Sequence, residues 1–151
     1  MQDTNRSKKR MLFLCTGNSC RSQMAEGWAR HLHNDWLEAS SAGVEKHGLN
    51  KNAVLVMNEA GGDISSHNSK LLSELPDLQF DLVITVCGNA HERCPIFPGK
   101  TRIIHVPFAD PPAMAKGIED LQIQLDCYRK VRDEIKNFVK TDLKRYFESS
   151  N

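Results

Sequence analysis

Met11-Leu12-Phe13-Leu14-Cys15-Thr16-Gly17-Asn18-Ser19-Cys20-Arg21-Ser22 sets the architecture. An apolar run ends in a cysteine, small and polar residues follow, and helical patterning begins behind Arg21 and Ser22. Strand, tight loop and helix start therefore meet at a thiol. A loop of this kind turns successive backbone N–H groups inward, and the helix behind it adds roughly half a positive charge. Arg21 supplies a planar fork suited to an oxyanion. Thr16, Gly17, Asn18, Ser19, Cys20 and Arg21 form the cradle, and Cys15 lies at its floor, where a thiolate is favoured and the pKa lowered. Ser22 can cap the helix, donate its hydroxyl to the Cys15 thiolate, or both. A buried strand-end thiol is the usual fate of cysteine. The preceding strand, Gly17 with Asn18, and Ser22 after Arg21 favour a nucleophile under a tetrahedral dianion.

The rest of the chain fits a compact enzyme. Its 151 residues suggest one domain, and 40% hydrophobic with 26% charged residues is ordinary for a globular protein. A net charge of +1 gives no support for nucleic-acid or membrane binding. Met1–Arg10 reads as a flexible arm, with too short an apolar run behind it for a signal or spanning segment. A cytoplasmic, reducing compartment is expected, so the five cysteines read as reactive or metal-binding thiols rather than staples. The domain itself is expected over residues 11–147, with 148–151 a tail.

In chain order, Gln23–His33 carries Met24, Ala25, Trp28 and Leu32 at helical spacing, with Glu26 and Arg30 paired on a solvated face, although Glu26 lies close enough to the loop to matter. Glu38–Val44 reads as a short strand, and Lys51–Ala60 as a helix capped by Asn50 and Gly61. His47 reads as a surface histidine. Ser65 or Ser66 could cap a helix running to Leu75, which Pro76 ends. Phe80–Cys87 and Arg102–Val106 read as buried strands, and Ile118 through Leu143 as one long amphipathic helix. Alternating β and α elements imply a parallel sheet with helices on both faces.

In such sheets, sites lie at the carboxyl ends of the strands. Cys15 ends the first strand and Cys87 the third; if these are neighbours, their tips lie about 5 Å apart. Cys87 and Cys94 are separated by six residues, wrong for a zinc knuckle, and His91 alone does not complete a metal site. The alternative is an exchange pair: one thiol attacks a species on Cys15, and the next draws the disulfide to the surface. Cys20 and Cys127 read as packed thiols. Asp110, in Ala109-Asp110-Pro111-Pro112, sits on a loop at the same sheet edge, where it can protonate a leaving oxygen.

Cys15-x5-Arg21-Ser22 with Asp110-Pro111 resembles the low-molecular-weight protein tyrosine phosphatase fold. Cys15–Trp28, Ser41-Ala42-Gly43, the Cys87/Cys94-Pro95 pair and Val131-Arg132-Asp133-Glu134-Ile135 resemble its thioredoxin-coupled arsenate reductase branch. The similarity runs from about Met11 to Phe138. The resemblance implies a single α/β domain, a four-stranded parallel sheet in order 2-1-3-4, and a phosphatase-type P-loop. It implies arsenic detoxification by reduction of arsenate to arsenite. Cys15 is then the nucleophile, Arg21 and Ser22 assist it, Asp110 is the acid, and Cys87 and Cys94 carry the relay that thioredoxin recycles. No flavin, nicotinamide or metal cofactor is implied, and a monomer is expected. Members of the branch with a potassium site use Asn18, Glu26 and Ser41 at matching positions, plus an aspartate where this chain has Lys70. An ammonium there could replace the ion, which argues against potassium dependence. Gln23 stands where the phosphatases usually have proline, which argues against a dominant phosphatase. Two rivals stay open. A phosphomonoesterase would not need Cys87 and Cys94, and a thiol module binding arsenite or zinc would not need Arg21 or Asp110.

Overall fold

Five consecutive residues, Met11–Cys15, are buried, although neighbouring side chains on a strand point to opposite faces. This strand is therefore covered on both sides and stands inside the sheet. The structure, a computed structural model, describes residues 8–148. In it β1 (Lys9–Cys15) is flanked by β2 (Leu37–Gly43) and β3 (Leu82–Thr85), with β4 (Arg102–His105) beyond β3. All pairs are parallel and the order is β2-β1-β3-β4, as the resemblance implies. The helices around the sheet are α1 (Arg21–His33), α2 (Lys51–Glu59), α3 (Gly88–Glu92), α4 (Pro111–Ala115), α5 (Leu121–Thr141) and α6 (Leu143–Glu148). No described helix is long and apolar enough to cross a membrane.

Helix α2 starts where Asn50 accepts a hydrogen bond from the Ala53 N–H, and α5 where Asp120 accepts one from Ile123 N. Leu125, Tyr128, Val131, Ile135 and Phe138 bury one stripe of α5. Register then brings the thiols together. Leu14 pairs with Thr85, and Val86 N donates to Leu14 O at 3.0 Å, so the next residue, Cys87, lies beside the end of β1.

Several sequence-based expectations are corrected. Lys9 and Arg10 belong to β1, not to an arm: Lys9 pairs with Leu37, and Arg10 Nη1 reaches Asp77 at 2.7 Å. The remainder of the expected arm, residues 1–7, and residues 149–151 of the tail lie outside the described residues, while Glu148 closes α6. The helix expected up to Leu75 is absent from residues 65–71, and a single 3-10 turn covers Leu72–Glu74. Its backbone is committed elsewhere: Lys70 N donates to Asn18 Oδ1, Asn68 O accepts from Gln23, and Gly43 N donates to Lys70 O. The last helix breaks at Asp142 into α5 and α6, and α4 forms where Pro111 occupies the first turn after Asp110.

Candidate active site

The loop between β1 and α1 holds its carbonyls outward. Val44, Glu45 and His47 donate backbone N–H bonds to the carbonyls of Cys15, Thr16 and Gly17 at 3.2, 2.7 and 3.0 Å. Ser69 Oγ also donates to Gly17 O, Gln23 Nε2 to Asn18 O, and Asn50 N to Ser19 O. Peptide planarity then leaves the N–H groups on the concave side, facing the thiol at the floor. Asn18 makes the turn possible with a φ of 50°, the left-handed region where asparagine is tolerated. Its buried amide donates to Ser22 Oγ and Ser41 Oγ, both at 2.9 Å, and its Oδ1 accepts from Gln23 Nε2 and Lys70 N. Gly43 is required below it, because a side chain there would overlap the Glu45 and Thr16 carbonyls.

Ser22 does not cap α1; its hydroxyl oxygen accepts from Asn18, and α1 has no side-chain cap at Cys20. Glu26 is not on a solvated face. It is 3% exposed, accepts from Ser41 Oγ at 2.5 Å and pairs with Arg30 Nε at 2.9 Å. Lys70 Nζ lies 3.9 Å from the other side of this carboxylate contact, at Glu26 Oε1. With Asn18 Oδ1 already accepting two N–H groups and two cations beside Glu26, this donor set does not fit a bound monovalent ion. Among the described residues no group of three or more His, Cys, Asp or Glu converges as a metal site.

Arg21 lies over the cradle with its side chain 13% exposed. Nη1 donates to Phe108 O at 3.0 Å and Nη2 stands 3.6 Å from Asp110 Oδ1. Its Nε is buried with no protein partner, an orphaned donor that an oxyanion would satisfy. A pocket of about 390 Å³ opens here, shared by Cys15, Thr16, Gly17, Ser19, Arg21 and Asp110, with Cys20 in its wall. Asp110 makes no side-chain cap bond to α4, so its carboxyl faces Arg21 and the pocket.

All five cysteines are free thiols. Cys15 and Cys87 are both buried, and strand register sets them side by side at the ends of β1 and β3. The neighbouring Cys87 first, and burial second, hold the Cys15 thiol above its ordinary value against the opposing charge of Arg21. With Cys87 beside it, Cys15 is thus held up rather than acidified as expected. Cys87 is pushed down to about 5, first by Cys15, with Thr16 Oγ1 at 3.0 Å and Ala90 N at 3.4 Å adding further donors. Asn89 Nδ2 donates to Thr16 Oγ1 and so turns the Thr16 proton toward Cys87. The two thiols therefore titrate as a pair rather than independently. Cys20 is buried, and burial pushes it up to about 12. Cys94 follows α3, its N–H on His91 O, and is half-buried; Cys127, expected inside, is also half-exposed.

Two residues of this site escaped the sequence reading. His47 lines the pocket, its ring against Gly17, where any side chain would overlap it. Asn89 acts through Thr16 on Cys87. Neither Lys46-His47-Gly48 nor Gly88-Asn89 shows these contacts in the sequence.

Comparison with known proteins agrees with this geometry. The family profile of low molecular weight phosphotyrosine protein phosphatases matches residues 10–146. An arsenate reductase of Bacillus licheniformis is 50% identical over 137 residues, covering 89% of this chain and 94% of that protein. One from Bacillus subtilis is 47% identical, covering 87% and 93%. Among solved structures, an arsenate reductase in its phosphate-binding state superposes with a TM-score of 0.71 at 29% identity, over 91% of this chain and 98% of the other.

Proposed function

The chain belongs to the low molecular weight phosphotyrosine protein phosphatase family, as an enzyme of its arsenate reductase branch, and from that premise we propose that it reduces arsenate through a relay of three thiols. The observation that carries this reading is a second buried thiol, Cys87, beside Cys15 at the floor of an oxyanion cradle. A phosphomonoester hydrolase needs the cradle, Arg21 and Asp110, but has no use for a second buried thiol against the nucleophile.

Arsenate lies on the loop N–H groups and on Arg21, whose unpartnered Nε gains an acceptor. Cys15 passes its proton to the neighbouring Cys87, and the thiolate left behind is held by Arg21 and the N-terminus of α1. Its sulfur attacks arsenic while Asp110 protonates the departing hydroxyl, which leaves as water. Cys87 then attacks the Cys15 sulfur. Its proton goes to an arsenic-bound oxygen, the S–As pair of electrons stays on arsenic, and arsenite departs. A Cys15–Cys87 disulfide remains. Cys94 attacks Cys87, frees Cys15, and leaves Cys87–Cys94 for the dithiol of thioredoxin to reduce. Two electrons enter from thioredoxin and two leave on arsenic. The chemistry serves arsenic detoxification and needs no flavin, nicotinamide or metal; the enzyme acts as a cytoplasmic monomer.

Helix α3 separates Cys87 from Cys94 in the reduced state, and a disulfide needs Cα atoms within roughly 7 Å. The last exchange therefore requires α3 to unwind or loop out. The test is arsenate-dependent NADPH oxidation with thioredoxin and thioredoxin reductase. Multiple turnovers are expected, and their dependence on thioredoxin separates this relay from reduction by a small thiol.

A further inference from the structure

The segment that holds the cradle carbonyls also carries two side chains with no part in the relay. Glu45 places Oε1 2.7 Å from His47 Nε2 and Oε2 2.7 Å from Arg93 Nη1. A carboxylate only accepts, so His47 carries a proton on Nε2. His47 Nδ1 is the ring atom a side chain at Gly17 would meet first, so that edge faces the cradle. His47 shares the pocket with Cys15, Arg21 and Asp110, while Arg93 ends α3 and directly precedes Cys94. Arg93 first, and His47 second, hold the Glu45 carboxyl below the usual carboxylate range. A continuous chain, Arg93–Glu45–His47, runs from the thiol segment to the pocket wall.

We propose that Glu45 is a positioning residue for the oxyanion site, holding His47 as a wall over Gly17 and tying that wall, through Arg93, to the segment carrying Cys87 and Cys94. This rests on the pocket being an oxyanion site and adds a means by which the thiol state reaches it. In the reduced protein the wall is held and the pocket is shaped for a tetrahedral anion. When α3 unwinds to form Cys87–Cys94, Arg93 withdraws from Glu45, His47 loosens, and anion affinity falls. By linkage, a bound anion favours the reduced arrangement to the same degree.

The probe is inorganic phosphate, and the readout is protection of Cys15 in the reduced full-length chain against iodoacetamide, followed by mass mapping. His47→Leu and Glu45→Gln should each weaken phosphate binding about three- to tenfold. Arg93→Gln, losing an exposed ion pair, should weaken it about two- to fivefold. Glu45→Gln should add nothing in a His47→Leu background, and His47→Gln, whose amide can still donate to Glu45, should recover part of the loss. In arsenate turnover KM should rise while kcat stays. Wild-type phosphate binding in either single variant, or multiplicative effects in the double, would overturn the proposal. Phosphate protection needs no electron transfer, so failure of the thiol relay would leave this result untouched.

Discussion

Cys15 and Cys87 stand side by side at the C-terminal ends of two adjacent parallel strands, where Val86 N donates to Leu14 O at 3.0 Å and Thr16 Oγ1 lies 3.0 Å from Cys87 Sγ. Topology alone makes this contact: in the order β2-β1-β3-β4, the first and third strands are neighbours, and their register leaves both thiols at one edge. This adjacency couples the ionisation of the two thiols and sets the second beside the sulfur that the proposed relay has it attack.

The charge on the pair can be titrated. Thiolate absorbance of the reduced protein should appear as pH rises through about 5, assigned to Cys87, and be lost again below it. A second rise, from Cys15, should come above the ordinary thiol range. Cys15→Ala removes the neighbour that lowers Cys87 most, so the Cys87 midpoint should move upward. A midpoint unchanged by Cys15→Ala would show that the two sulfurs do not titrate as a pair.

Asp110→Asn keeps size and polarity but cannot deliver a proton. Its kcat for arsenate should fall about 10²- to 10⁴-fold, while phosphate protection of Cys15 stays close to wild type. An effect confined to KM would reduce Asp110 to a neighbour of Arg21.

Cys87→Ser leaves the cradle, Arg21 and Asp110 intact. It should form at most one stalled adduct per protein with arsenate, with no thioredoxin-driven turnover, yet keep any weak hydrolysis of phosphomonoesters. Undiminished arsenate turnover in this variant is incompatible with the relay.

Asn18→Ala removes a buried amide that serves Ser22, Ser41, Gln23 and Lys70, at a residue with a φ of 50°. Stranding these partners should cost about 1–3 kcal/mol, lowering Tm by about 2–4 °C for each kcal/mol. Phosphate protection of Cys15 should weaken as the loop relaxes. Wild-type stability and binding together would show that the loop holds its shape without this amide.

Much of this was readable from residues close in sequence. Met11–Leu14 before Cys15, then Gly17, Asn18 and Arg21, announce strand, loop and helix, and Asp110-Pro111 announces a turn at a strand end. What escaped was long-range. Residues 65–71 have the composition of a helix start, but their carbonyls and N–H groups go to Gln23, Asn18 and Gly43. Glu26 and Arg30 have the spacing of an exposed pair, yet Ser41 on β2 draws the carboxylate inside. His47 gains its place only because Gly17 leaves room for its ring. The ionisation of Cys15 was not legible because its neighbour is a second thiol, Cys87, whose proximity depends on strand order.

The most direct test of the three-thiol relay is a single turnover of reduced Cys94→Ser with arsenate, quenched by alkylation and mapped by peptide mass. The relay predicts one Cys15–Cys87 disulfide and one arsenite released per protein, with Cys20 and Cys127 alkylated. Arsenite release with Cys15 and Cys87 both recovered as alkylated thiols, or a disulfide joining Cys15 to Cys20 instead, would contradict it.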